Sequence, residues 1–177
     1  MKKGQVWIET VIYILIGLTI IGILLALITP KINQMTDKSV IDNMISGLND
    51  LDDKINEAKL APGSIRTFEL GLKKGQLSIN PAENKIVFVL DNSEVEYSEI
   101  GKAIERGDIV ILSEKTNGIV KVSLSLAYNN VKITYIQKND KKIFSPASIP
   151  YYLIIENKGE KTVGDSKIPW IDIYPLS

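Results

Sequence analysis

The chain has 177 residues, 45% of them hydrophobic and 24% charged, with 21 basic and 21 acidic side chains, no cysteine and no histidine. That composition excludes a disulfide scaffold, a cysteine-based zinc site and any Ser-His-Asp or Cys-His catalytic arrangement. The balanced charge offers no broad electrostatic attraction for nucleic acid, and the length suits one tail helix plus one domain.

From Thr10 to Pro30 no residue is charged, and the only polar interruptions are Thr10, Tyr13, Thr19 and Thr29. At about 1.5 Å per residue such a helix spans roughly 30 Å, the thickness of a hydrocarbon core. The run is too long for a secretory signal peptide, and Ala26-Leu27-Ile28 followed by Thr29-Pro30 is a poor cleavage site. A single-pass membrane segment is therefore expected. Lys2 and Lys3 before it favour a cytoplasmic amino terminus, and Lys31 and Lys38 beyond it weaken that bias. Gly22 and Ala26 form a small-xxx-small pair that permits close helix packing. Glu9 stands at the mouth of the run. A carboxylate in the bilayer costs about 2.5–3.5 kcal/mol at the centre and less toward the interface, so Glu9 either snorkels to the headgroups or has a function.

Beyond Pro30 the character changes. Ile32, Met35, Ile41, Met44, Ile45, Leu48, Leu51, Ile55 and Ala58 recur at three- and four-residue spacings, with Asp37, Lys38, Asp42, Asn49, Asp50, Asp52, Asp53 and Lys54 between them. This pattern predicts an amphipathic helix ending near Leu60, where Ala61-Pro62-Gly63 stops it. Pro30 either begins that helix or kinks a continuous one.

From Ser64 the period becomes two. Phe68 to Leu72, Leu77 to Ile79, Lys85 to Leu90, Val95 to Ser98, Ile109 to Leu112 and Ile119 to Tyr128 read as strands, with a helical turn at Gly101 to Glu105. Turns at Asn129-Asn130 and Asn139-Asp140 predict a β-meander through Val131 to Gln137 and Lys141 to Phe144. Tyr151 to Glu156 and Ile168 to Tyr174 complete the set, separated by Asn157-Lys158-Gly159. The expected fold is α+β: a long hydrophobic-to-amphipathic N-terminal helix followed by an antiparallel β-sandwich or partly open barrel.

No catalytic or metal site stands out in this domain, and no cofactor or enzymatic activity is expected. Asp52-Asp53, Glu94, Glu96 and Glu99 lack a recognisable ligand spacing and read as solvated carboxylates. Lys138 to Lys142 reads as a solvated hairpin tip, and Tyr128, Tyr135, Tyr151, Tyr152 and Trp170 as core or sheet edge. No Asn-x-Ser/Thr sequon occurs.

The stretch Lys2-Lys3-Gly4-Gln5-Val6-Trp7-Ile8-Glu9 resembles the leader of type IV pilin precursors, most closely the archaeal class III signal peptide. The resemblance covers about the first thirty residues. It implies a basic leader over residues 1–4, cut after Gly4 by a prepilin peptidase, with Gln5 as the first mature residue and Glu9 as the fifth. Where the archaeal pattern often places serine, this chain has Trp7. Loss of Lys2 and Lys3 leaves 19 basic against 21 acidic side chains, a formal charge of −2. Cleavage would create an α-amino group at Gln5, and Glu9, one helical turn on, would pair with it or with a neighbour's amine and set register.

The resemblance further implies residues 5–30 as membrane and filament-core helix, 31–62 as its amphipathic continuation and 63–177 as an extracellular β-domain. Its implied partners are other copies of the chain, a prepilin peptidase, a pilus assembly ATPase with its membrane platform, and the membrane before assembly. A structural subunit of a surface filament is the leading expectation. A minor pilin or pseudopilin of an adhesion or secretion machine, and a non-polymerising membrane-anchored binding module, are the alternatives. An archaellin leader does not usually carry this glutamate.

Overall fold

A computed structural model describes residues 3–176, with side chains from Trp7 onward. One helix, α1, runs from Lys3 to Lys59, 57 residues without a break, or about 85 Å at the α-helical rise. It continues through Pro30 without a break, although the missing N–H there leaves the Ala26 carbonyl without its helical donor. Residues on either side retain helical hydrogen bonding, and the Thr29 hydroxyl adds a bond to the Leu25 carbonyl at 2.7 Å.

The buried stripe of α1 comprises Ile41, Met44, Ile45, Leu48, Leu51, Ile55 and Ala58, as the periodicity predicts. Ile32 and Met35 depart from expectation. Both are exposed, because the body of the β-domain begins to cover the helix only at Asp37. The helix ends at Lys59, where the buried Asn157 donates to the Ala58 carbonyl at 2.9 Å and so satisfies one of the orphan acceptors of the last turn. Gly63, at φ 78°, then turns the chain back, its N–H donating to the Asn157 carbonyl at 2.8 Å.

Ten strands follow. They are β1 (Ile65–Leu70), β2 (Gln76–Asn80), β3 (Lys85–Ser93), β4 (Ala103–Arg106) and β5 (Ile109–Thr116), then β6 (Ile119–Ala127), β7 (Lys132–Tyr135), β8 (Lys142–Phe144), β9 (Tyr151–Val163) and β10 (Ser166–Pro175). They form a four-stranded sheet in the order β1-β9-β10-β7 and a six-stranded sheet in the order β4-β5-β6-β3-β2-β8. Every pairing is antiparallel except β7 with β10. The fold is α+β, one long N-terminal helix followed by a mostly antiparallel β-domain. Apolar residues of α1 and of both sheets merge into one core, so the helix from Ile41 to Ala58 is a core element of the domain.

Four local expectations are corrected. The meander does not form: β6 lies in the six-stranded sheet, β7 crosses to the other sheet, and β8 returns to pair with β2. Asn84, in the left-handed region at φ 55°, makes the crossing possible. Its side chain bonds the Tyr128 and Val131 carbonyls and accepts from the Ile133 N–H, satisfying backbone that leaves one sheet for the other. Val95 to Ser98 is not a strand, since Ser98 and Ser113 instead exchange side-chain bonds to each other's backbone N–H, both at 2.9 Å. Gly101 to Glu105 is not helical, and its second half forms edge strand β4. Finally, Asn157-Lys158-Gly159 does not end a strand. Asn157 points inward to cap α1, β9 continues to Val163, and the turn to β10 falls at Gly164-Asp165.

Candidate functional site

The feature that sets this molecule apart is the half of α1 with nothing against it. Every large apolar side chain from Trp7 to Met35 is exposed. The helix is long and apolar enough to cross a membrane, and the Trp7–Pro30 part, at about 1.5 Å per residue, exceeds the roughly 30 Å of a hydrocarbon core. Its polar groups are muted locally: Thr19 and Thr29 donate to the carbonyls of Leu15 and Leu25, both at 2.7 Å, as hydroxyls in an apolar medium must. A Cβ on Gly22 would meet no atom within 4 Å, and Ala26 is exposed, so the small-xxx-small pair lies open to a partner helix.

Glu9 is exposed on this bare segment. The helical backbone carries Gln5 and Glu9 four residues apart, hence on one face. Lys2 lies outside the described residues, as do the side chains of Lys3 and Gln5, and of Gly4 only the helical backbone is described.

The bare half meets the anchored half at Asp37. This carboxylate is fully buried; it accepts from the Lys74 ammonium, and from the Glu94 N–H at 2.8 Å. One turn on, Asp42 accepts from the Tyr97 hydroxyl at 2.6 Å, and Arg106 donates to the same hydroxyl at 3.0 Å while its guanidinium lies 5.8 Å from the Tyr97 ring centre. Burial first, and then the Asp42 carboxylate, push the Tyr97 hydroxyl's pKa up, against the Arg106 charge. Sequence reasoning placed Asp37 and Asp42 on the solvated face. A signal existed for Asp37: it continues the alternating three- and four-residue spacing of Ile41, Met44, Leu48, Leu51, Ile55 and Ala58.

The remaining sequence candidates separate. Glu96 pairs with Lys115 at 2.9 Å and Glu99 with Lys102, both at the surface. Among the described residues no three acidic or histidine side chains cluster as a metal would need. Lys142 of the basic loop lies over the rings of Tyr135 and Phe144, 5.8 and 5.6 Å from their centres. Tyr128 is buried, Tyr152 is exposed, and Trp170 donates to the Thr134 hydroxyl at 2.8 Å.

No protein-family model, curated protein or solved structure matches the chain.

Proposed function

We propose that this chain is a structural subunit of an archaeal type IV pilus-like surface filament. It is made as a single-pass membrane precursor, cut after Gly4 by a prepilin peptidase, and polymerised by the assembly ATPase and membrane platform through the helix that begins at Gln5. The β-domain faces outward, and no enzymatic step is required of it.

The observation that carries this reading is the asymmetry of α1, exposed and apolar from Trp7 to Met35 but buried along one stripe from Asp37 to Ala58. An apolar surface of that size is driven out of water at about 25 cal/mol per Å2. Lipid covers it before assembly, and the same segment of neighbouring copies covers it afterward. Glu9 favours copies over lipid as the final environment. In a bundle it can neutralise the Gln5 amine of a neighbouring copy as well as that of its own chain, a second partner that lipid alone does not offer.

The test is Glu9→Gln. Breaking a buried charge pair costs on the order of 3–5 kcal/mol per subunit. Cells carrying the variant should hold cleaved subunit in the membrane, with the β-domain folded, and show few or no filaments by electron microscopy. Abundant normal filaments would overturn the pairing account. Wild-type protein displayed at the surface without any filament would favour the anchored binding module.

A further inference from the structure

One cavity, far from the bare helix, is lined by more polar side chains than the fold uses. It holds about 340 Å3 between the last turns of α1 and the loops that follow β4 and β6. Tyr128 closes its floor. The Tyr128 hydroxyl is the one buried side-chain oxygen or nitrogen among the described residues that closes no hydrogen bond, although the residue is 93% buried. Burial, then the Asp52 carboxylate, by its charge and by an approach that falls outside normal hydrogen-bond geometry, and lastly the Asp108 charge hold its proton well above the usual tyrosine range, so the phenol is neutral.

The helix supplies Asp52, Asn56 and Lys59 to one wall. Asn56 Nδ2 donates to Asp52 Oδ2 at 2.8 Å, which fixes both side chains, and Lys59 forms no ion pair with a described residue. The opposite wall is Asp108, in the turn after β4. Gly107 adopts the left-handed φ of 62° that this turn requires, and the turn lies beside the helix, a Cβ there standing an ordinary 3.8 Å from Asn49 Oδ1. The rim is Asn129 and Asn130, whose loop Asn84 ties down on both sides through Tyr128 and Val131. The side chains of Asp108, Asn129 and Asn130 make no hydrogen bond or ion pair with any described residue. The loop after β6 is thus held by its backbone, and apart from the Asp52–Asn56 bond the polar side chains around the cavity are uncommitted among the described residues.

Their mixture selects a ligand class. A divalent cation would find carboxylate and amide oxygens here, but also the like charge of the Lys59 ammonium among them. An anion would face both carboxylates at close range. A neutral molecule with adjacent hydroxyls meets neither obstacle. Each of its hydroxyls both donates and accepts, carboxylates accept, amides do both, and the ammonium donates. The volume sits at the small end of the roughly 300–1,000 Å3 seen for small-molecule sites.

We propose that this cavity binds one neutral sugar residue: Asp52 and Asp108 accept from neighbouring ring hydroxyls, Asn130 and Lys59 donate to them, and a ligand oxygen completes the Tyr128 hydroxyl. The site does not depend on whether the chain polymerises.

The test uses the isotope-labelled full chain in dodecylphosphocholine micelles, a detergent without sugar. Methyl glycosides of glucose, galactose, mannose and N-acetylglucosamine are each titrated to about 50 mM, well above the millimolar Kd expected of a few hydrogen bonds. At least one should give saturable amide shifts confined to the neighbourhood of Asp52, Asp108 and Asn130. Asp108→Ala and Asn130→Ala, at exposed positions that support nothing else, should each weaken that binding by about tenfold while leaving the rest of the spectrum unchanged. The proposal is overturned if no glycoside gives saturable shifts, if the two variants bind as wild type does, or if calcium chloride alone saturates the same amides.

Discussion

The fully buried carboxylate of Asp37 and the half-exposed ammonium of Lys74 join the helix to the β-domain across a 37-residue separation in sequence. Lys74 immediately precedes Gly75, whose φ of 81° and contact with the Phe88 ring admit no side chain: a Cβ there would stand 2.5 Å from the ring. Lys74 is thereby held at the start of β2, and Glu94, the second donor to Asp37, just follows β3. One carboxylate thus grips one end of a strand pair and marks where the projecting half of α1 begins.

That relationship is asymmetric, which gives a sharp prediction. Lys74→Met leaves a buried carboxylate with one neutral donor and should destabilise the protein by about 3 kcal/mol, the low end for a broken buried pair because Lys74 is itself 43% exposed. Asp37→Asn keeps an acceptor for Glu94 and lets Lys74 turn to water, so it should lose only about 1–2 kcal/mol. Chemical denaturation of both variants in the same detergent measures the order. Equal losses, or the reverse order, would show that the pair does not act as described.

Processing is tested at Gly4. The mature protein is expected to begin at Gln5, as read by mass spectrometry of its N-terminus. Gly4→Val should leave full-length precursor in the membrane with the β-domain folded, because a protease channel that accepts a residue without a side chain before the cut would exclude valine. A retained Met1 in wild type, a terminus beyond Thr29, or normal maturation of the variant would each remove the basis of the pilin reading.

A pH dependence follows from Tyr174 and Glu156. The Tyr174 hydroxyl donates to Glu156 Oε2 at 2.6 Å, and mainly through that bond its pKa is pushed up to about 12 from an ordinary 10.0. The folded chain holds this proton more tightly than the unfolded one. The stability it contributes is therefore complete below pH 10 and disappears as pH rises through about 12. On the acid side, Lys158 first and Tyr174 second hold Glu156 below its usual value of 4.5, so that contribution is complete above 4.5 and fades as pH falls below it. Tyr174→Phe should flatten the alkaline loss of thermal stability and reduce the acid loss without abolishing it, since Lys158 remains. An unchanged alkaline slope would mean the bond contributes nothing.

Ile136 offers a stabilising change. It and Gln137 occupy the left-handed region at φ 52° and 57°, in a turn closed by reciprocal Tyr135–Lys138 backbone bonds of 3.2 and 3.0 Å. For a β-branched residue that conformation costs about 1–2 kcal/mol, whereas asparagine adopts it readily. Ile136 is about half exposed and gives up little burial. Ile136→Asn should raise stability by about 1 kcal/mol, visible as a thermal midpoint several degrees higher. A lower midpoint would show that the isoleucine side chain contributes more to packing than its backbone conformation takes away.

The sequence by itself determined whatever depends on local repetition. The apolar run Thr10–Pro30, the three- and four-residue spacing from Ile41 to Ala58, and the alternation of Val120, Val122, Leu124, Leu126 and Tyr128 all stand in the structure where their periods place them. A helix face and a strand face are fixed by backbone geometry within a few residues, so a single segment suffices to read them. The Lys2–Glu9 pattern, on which the proposed cleavage and pairing rest, is likewise local. The tertiary structure alone decided which strand lies beside which. It sent β7 to the parallel side of β10, turned Asn157 inward to cap a helix 99 residues earlier in the chain, and used Asn84 to hold a loop more than 40 residues away. It also buried Asp37 and gathered Asp52, Asp108 and Asn130 around one cavity. A polar side chain at any of these positions has the same local appearance whether it meets water or a partner. Which it meets is settled by distant backbone groups, whose positions exist only once the sheets have paired and the helix has docked among them.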